Sequence, residues 1–141
     1  MIHEDRTMSA PSRSSLRVFD ALRRANRPLT AYQLLDRLER NGVAGPPTVY
    51  RALKRLTKEG LVHRIETLNA YMVCACPNHA ASPLFVICEQ CGSVSELSDK
   101  VIDARLRRRA EATGFDIRTT SIESRGACAA CRANGHHKAT Q

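Results

Sequence analysis

The chain has 141 residues, a formal net charge of +8, 43% hydrophobic residues and 4% aromatic residues. This aliphatic content is enough for a small folded core, and it excludes a wholly disordered chain. No apolar run approaches the roughly 18 residues of a membrane span, and the N-terminal residues contain no apolar signal-peptide core. We therefore expect a cytoplasmic protein with no membrane association.

The positive charge is concentrated in the N-terminal half. Residues 1–68 contain 13 Lys and Arg against 7 Asp and Glu, whereas residues 69–141 contain 9 against 7. A positive surface of this kind suits the phosphate backbone of nucleic acid, and a solvated basic surface without a partner is the alternative.

Apolar spacing predicts three helices in this half. The first covers Leu16–Leu22 and ends before Asn26. Thr30 caps the second, which Gly42 ends. The third covers residues 45–60, with prolines at its start and a glycine at its end.

Two short strands follow the third helix. They cover Leu61–Ile65 and Ala70–Cys74, with a turn around residues 67–69. Three helices followed by a hairpin is the order of a winged helix, so we assign residues 12–74 to a winged-helix DNA-binding domain. The third helix of such a domain enters the major groove, where its outward side chains meet bases and phosphates. The candidate contacts on this helix are Thr48, Tyr50, Arg51, Lys54 and Arg55. For Tyr50, packing of the ring in the helix interface is the alternative.

Residues 75–83 are small, polar and flanked by proline, which indicates a hinge between two domains. The residues beyond it predict a small α+β domain over 84–132, so the expected fold class of the chain is α+β. Its predicted elements are strands at Leu84–Cys88 and Ser93–Leu97, a helix from about Asp99 to Thr113, and a strand at Phe115–Glu123. This domain leaves an apolar face that a second subunit would cover, so we expect a homodimer. Residues 133–141 are expected to be a disordered tail.

The strongest chemical signal is a pair of Cys-x-x-Cys motifs separated by residues 92–127. Two residues between thiolates let both reach one ion, and two such pairs complete a tetrahedral zinc site with Zn–S bonds of about 2.3 Å. The predicted ligands of this structural zinc are Cys88, Cys91, Cys128 and Cys131. A redox dithiol and reduced buried cysteines are the alternatives.

A second candidate metal site is less compact in sequence. His63 lies in the first strand of the wing, Cys74 ends the second, His79 lies in the hinge, and Glu96 follows the first Cys-x-x-Cys pair. In the predicted hairpin, His63 and Cys74 fall at diagonally neighbouring positions, so the set can hold a metal that fixes the two domains. Such scattered sets are a weak motif, and a strand histidine is more often a surface or core group. Cys76 is a competing ligand or a spare thiol, and His136 and His137 lie in the predicted tail.

The segments PPTVYRAL, EGLVHRIE, ICEQCG and GACAACR, in this order and spacing, resemble the ferric uptake regulator family over about residues 12–132. The resemblance implies two zinc ions per chain. One is the structural ion of the four cysteines, and the other is a regulatory ion held by His63, Cys74, His79 and Glu96. It also places Arg51 and Tyr32 at family positions that contact operator DNA.

The resemblance implies a dimeric repressor that binds an inverted-repeat operator when zinc occupies the hinge site and so controls zinc uptake genes. The His-rich stretch of iron-sensing relatives is absent, and a thiolate in the sensor site favours zinc over ferrous iron. The alternatives are a regulator of the same family that senses iron, manganese or nickel, and a thiol redox sensor. A zinc hydrolase lacks support because the chain has no HExxH or comparable motif, so we expect neither an enzyme nor a small organic substrate.

Overall fold

The computed structural model describes residues 12–40, 42, 45–75 and 81–134. These residues form two compact units. The first comprises the described residues up to Arg64 together with Leu68–Val73, and the second comprises Ile65–Thr67 together with the described residues from Cys74 onwards. None of the described helices is long and apolar enough to cross a membrane.

Three helices form most of the first unit. Helix α1 covers Arg13–Ala25 and begins at Ser12, whose hydroxyl accepts a hydrogen bond from the Ser15 N–H at 3.1 Å. Helix α2 covers Ala31–Glu39 and begins with a reciprocal capping box, because the Gln33 N–H donates to the Thr30 hydroxyl while the Thr30 N–H donates to the Gln33 side chain. The predicted capping role of Thr30 is therefore confirmed.

Helix α3 covers Pro46–Lys58 and is the third of these helices. Two prolines occupy its first turn, where a missing N–H costs nothing. Gly60 follows its end with φ of 75°, a left-handed conformation that favours glycine. One face of the helix is buried, as its spacing predicts. The residues of that face are Val49, Ala52, Leu53 and Leu56.

The wing is a three-stranded sheet with the order β1-β3-β2. Its strands are β1 (Leu29–Thr30), β2 (Val62–Ile65) and β3 (Ala70–Val73), and a 3-10 helix at Glu66–Leu68 follows β2. The second strand of the predicted hairpin ends at Val73, so Cys74 follows β3 instead of ending it. Two further details of the predicted hairpin were wrong. Leu61 is outside β2 because its N–H bonds to the Leu56 carbonyl at the end of α3, and strand β1 was missed because two residues are too few to show a period.

The apolar core of the first unit joins all three helices to this sheet. Its buried residues are Val18, Leu22, Leu29, Leu34, Leu38, Val49, Ala52, Leu53, Leu56 and Val62. Each helix presents a stripe of apolar side chains at intervals of three or four residues, which is the pattern that packs helices together.

The second unit contains a sheet of order β5-β4-β6. Its elements are β4 (Leu84–Cys88), β5 (Val94–Leu97), α4 (Lys100–Glu111), β6 (Ile122–Gly126) and α5 (Ala129–Ala133). Strand β5 pairs with β4 in antiparallel fashion, and β6 pairs with β4 in parallel. Helix α4 begins at Asp99, whose carboxylate accepts hydrogen bonds from the N–H groups of Val101 and Ile102.

The strand predicted at Phe115–Glu123 lies instead at Ile122–Gly126. The Phe115 N–H bonds to the Ala110 carbonyl and closes the end of α4, and the following residues up to Ser121 form no strand. The alternation of apolar residues around Phe115 suggested a strand, but pairing with β4 decides where it forms. Helix α5 also extends to Ala133, one residue into the predicted tail.

Candidate metal centres and nucleic-acid interface

The four cysteines of the Cys-x-x-Cys pairs meet in the second unit. Cys88 ends β4 and is buried, Cys91 lies in the turn after it, Cys128 directly precedes α5, and Cys131 lies within α5. Their sulfur atoms lie within 4.8 Å of one another, and those of Cys91 and Cys128 are 3.8 Å apart. A tetrahedron with Zn–S bonds of 2.3 Å has sulfur–sulfur edges of about 3.8 Å, so the arrangement fits a zinc ion.

The parallel pairing of β4 and β6 brings the two cysteine pairs together. Cys88 lies opposite Gly126 in this register, so the chain reaches Cys128 beside the first pair. The Cys128 N–H donates to the Cys88 sulfur at 3.4 Å. Gly92, with φ of 76°, turns the chain after the first pair, and its N–H donates to the Cys88 carbonyl at 3.0 Å. The backbone thus positions the sulfur atoms.

The surrounding dipoles favour thiolate at one end of the cluster. Hydrogen bonds from the N–H groups of Cys91 and Cys128 lower the pKa of Cys88 from 9.0 to about 6, against burial, which raises it. The hydroxyl of Ser93 lowers the pKa of Cys91. The neighbouring Cys128 thiol and burial raise the pKa of Cys131 to about 12. The Cys131 thiol therefore keeps its proton unless a cation binds its sulfur, and a zinc ion would be such a cation.

Two residues of the second candidate metal set also come together in this unit. The Cys74 sulfur lies 3.7 Å from a carboxylate oxygen of Glu96, and the Ala75 N–H donates to the other oxygen at 2.9 Å. Glu96 lies on β5 opposite Phe85 of β4, so the sheet fixes its backbone. His63 lies half-buried on β2 in the first unit. His79 and Cys76 lie outside the described residues, as do His136 and His137.

The candidate DNA contacts lie mainly on the solvent face of α3. Arg51 and Lys54 are exposed, and Tyr50 is 57% exposed, which does not support packing of its ring in the helix interface. Thr48 is half-buried. Arg55 is half-buried and forms an ion pair with Glu59 at 3.0 Å. The Tyr32 side chain on α2 is 80% exposed.

Sequence reasoning missed Glu123, on β6. Its two carboxylate oxygens accept hydrogen bonds from the N–H groups of Glu66 and Thr67, each at 2.9 Å. Burial raises the pKa of Glu123, but hydrogen bonds from the Thr67 hydroxyl and from these two N–H groups outweigh it, and the pKa is lowered. No local signal could find this contact, because Glu66 and Glu123 are 57 positions apart in the sequence.

Comparison with known proteins identifies close relatives. The model of the ferric uptake regulator family matches residues 10–125. The zinc uptake regulation protein of Escherichia coli is 40% identical over 107 residues, which cover 73% of this chain and 61% of that protein. The zinc uptake regulation protein of Mycobacterium tuberculosis is 34% identical over 105 residues, which cover 73% of this chain and 79% of that protein. The match thus spans less than two thirds of the Escherichia coli protein.

Solved structures of zinc uptake regulators also match this chain. A zinc uptake regulator complexed with zinc and DNA superposes with a TM-score of 0.83 at 34% identity, covering 89% of this chain and 85% of that one. The structure of holo XcZur gives a TM-score of 0.81 at 39% identity, covering 87% of this chain and 86% of that one. These matches confirm the α+β fold class and the resemblance inferred from the four sequence segments. Both relatives are zinc uptake regulation proteins, and the chain belongs to the ferric uptake regulator family.

Proposed function

We propose that this protein is a zinc-responsive transcriptional repressor that binds an inverted-repeat DNA operator as a homodimer and controls zinc uptake genes. The observation that carries the proposal is the solvent face of α3. Tyr50, Arg51 and Lys54 are exposed there while the opposite face is buried in the core. A helix held in this way presents its cationic and aromatic side chains to a major groove.

The four-cysteine cluster supports a structural zinc ion. Its sulfur separations suit tetrahedral coordination. We infer that the protein works in the cytoplasm, because reducing conditions keep such thiols available to metal.

A second, regulatory zinc ion is proposed for His63, Cys74, His79 and Glu96. The 3.7 Å separation of the Cys74 sulfur and the Glu96 carboxylate supports it. His63 is on β2, the sheet neighbour of β3, and Cys74 is the residue directly after β3. Sulfur, imidazole and carboxylate together form a set that suits zinc. The total would then be two zinc ions per chain.

Zinc would act by selecting the conformation that binds DNA. A ligand shifts such an equilibrium only by its difference in affinity for the two conformations. A coupling free energy of about 2.7 kcal/mol between zinc and DNA would change the DNA affinity about a hundredfold. The regulatory ion would supply this coupling, whereas the structural ion would stabilise the second unit.

The homodimer is supported by apolar side chains that the second unit leaves in solvent. No residue of α4 is buried, which is unusual for a helix with an apolar stripe. The exposed apolar residues of this unit are Val86, Leu97, Val101, Ile102, Leu106 and Phe115. A second copy would cover this face, and the two recognition helices would then match the symmetry of an inverted repeat.

The lowered pKa of Cys88 favours one other function, a thiol redox sensor. Metal content separates the two functions. About two zinc ions per chain under reducing conditions supports the regulator, and a metal-free protein with reversible disulfides supports the sensor.

The decisive experiment is a DNA-binding titration with buffered zinc and, separately, ferrous iron. The probe is a duplex selected from a random-sequence pool in the presence of zinc, and binding is followed by fluorescence anisotropy. We expect zinc to raise the affinity about a hundredfold and iron to do so less. Zinc-independent binding by the unaltered protein would contradict the mechanism.

Two variants separate sensing from DNA contact. Cys74→Ser should keep the structural zinc but lose the zinc dependence of DNA binding. Arg51→Ala is the matched control, because it should lower DNA affinity at every zinc concentration while the zinc content stays unchanged. If Cys74→Ser responds to zinc as the unaltered protein does, Cys74 is not a ligand of the sensor.

A further inference from the structure

A pocket of about 280 Å³ lies between the first turn of α1 and one flank of α3, entirely within the first unit. Four hydroxyl-bearing residues, one of them the buried Ser15, line it together with two arginines and Ala52, and none of these lining residues is acidic. The other hydroxyl-bearing residues are Ser12, Ser14 and Thr48, and the arginines are Arg51 and Arg55.

The α3 side of the pocket is built by helical spacing. Thr48, Arg51 and Arg55 are three and four residues apart, so they follow one flank of the helix. The ion pair with Glu59 at 3.0 Å orients the guanidinium of Arg55. Arg51 is exposed and lies at the border between this flank and the outward face, so it can reach either.

The α1 side of the pocket is held by the cap of that helix. The Ser12 hydroxyl accepts from the Ser15 N–H at 3.1 Å and donates to the Ser15 hydroxyl at 2.9 Å. Ser15 is 2% exposed, which fixes the first turn in place. Ser14 takes no part in this cap and lines the pocket.

Guanidinium and hydroxyl groups that line one pocket, with no acidic side chain among the lining residues, suit a phosphate oxyanion, since guanidinium donors match phosphate geometry. The positive end of the α1 dipole favours the same charge. We propose that this pocket binds one phosphodiester group of the DNA backbone, with Ser14 of α1 as a contact beside Arg51 and Arg55 of α3. The inference rests on the proposed function, because Arg51 also belongs to the face assigned to the operator.

Such a contact would fix the position of α3 on the duplex without reading a base, because phosphates carry no sequence information. It therefore predicts a loss of affinity that is independent of sequence when the pocket is blocked. When the pocket is blocked, binding should also depend less steeply on salt, because each phosphate contact contributes about 0.9 to the magnitude of the slope of log affinity against log salt.

The test is Ser14→Asp, which places a negative charge in the pocket. An acidic residue in the first turn of a helix is favourable for folding, so a loss of binding would not reflect unfolding. The matched control is Asn26→Asp, at the other end of α1. Asn26 has φ of 49°, which Asp also tolerates. It lies about 18 Å from Ser14 along the helix, beyond the Debye length of about 8 Å at physiological salt.

Binding is measured by anisotropy at several salt concentrations, with the zinc-selected duplex and with a random-sequence duplex. We expect Ser14→Asp to lower the affinity for both duplexes about tenfold and to reduce the salt slope by about 0.9 per chain bound. Asn26→Asp should stay within about twofold of the unaltered protein, because screening removes its effect.

Two results would overturn the proposal. Equal affinities and slopes for Ser14→Asp and Asn26→Asp would show that no phosphate occupies the pocket. A loss confined to the selected duplex would show that the pocket reads a base. In both cases the unaltered protein still binds DNA, so the proposed function survives. If the unaltered protein binds neither duplex, the proposed function fails and the phosphate contact fails with it.

Discussion

Glu123 holds a backbone turn with one carboxylate. It accepts hydrogen bonds from the consecutive N–H groups of Glu66 and Thr67, each at 2.9 Å. Hydrogen bonds to a charged group are stronger than those between neutral groups. This residue therefore contributes to stability mainly while it is ionised.

We expect Glu123→Gln to lower the free energy of unfolding by about 1 kcal/mol at pH 7. The pKa of Glu123 is lowered in the folded protein. Its contribution is thus fully present above the pKa of the unfolded chain, about 4.3, and is lost as the pH falls through the lower folded value. Urea unfolding at pH 7 and in steps below pH 4 measures the difference between the two proteins, which should shrink with acidification.

The control for this prediction is Glu111→Gln, at the exposed end of α4. That variant should match the unaltered protein at both ends of the pH range. A Glu123→Gln variant whose deficit stays constant from pH 7 downwards would contradict the role of the ionised carboxylate.

Helix starts are the elements that the sequence specifies most directly. The capping box of α2 needs only Thr30 and Gln33, three residues apart, and the prolines of α3 mark its start. The four-cysteine site consists of two motifs that are each local in the sequence, because a Cys-x-x-Cys spacing by itself indicates metal binding or redox chemistry. These features were predictable because neighbours in sequence decide them.

Elements fixed by distant partners were not predictable. Strand β6 forms where β4 can pair with it, and the apolar alternation around Phe115 carries no information on that register. Strand β1 exists only because β3 lies beside it. The Glu123 contact and the serine–arginine pocket likewise join segments that are far apart in sequence.

At the element scale we expect Thr30→Ala to lower the free energy of unfolding by about 1 kcal/mol, the usual cost of removing a threonine cap. Chemical unfolding monitored by circular dichroism measures it. Thr57→Ala is the control, because the Thr57 hydroxyl only bonds back to the Leu53 carbonyl within α3, an interaction that does not favour a helix. Equal losses in both variants would argue against the cap.

The two units differ in how they are stabilised. The first buries ten apolar residues in one cluster. Among the described residues of the second unit, only Ile65, Phe85, Ile87 and Cys88 are buried, and the last three lie on β4. A core this small does not support a fold alone, so the proposed zinc ion and the proposed second subunit would stabilise this unit.

We therefore expect zinc removal to unfold the second unit selectively. After chelation under reducing conditions, amide protection should fall over residues 84–134 and persist in α1, α2 and α3, as measured by hydrogen exchange with mass spectrometry. Chelator already saturated with zinc is the control. Unchanged protection over residues 84–134 in a protein shown to be zinc-free would mean that the cysteine cluster is not structural.

The parallel pairing of β4 and β6 also has a consequence for the order of folding. Parallel neighbours cannot be joined by a tight turn, and here β5 and α4 form the crossover between them. Contacts between such distant segments form slowly. Until the crossover is complete, a newly made chain would offer the proposed zinc ion only one Cys-x-x-Cys pair, so coordination by four sulfur atoms would have to follow the pairing of β4 with β6.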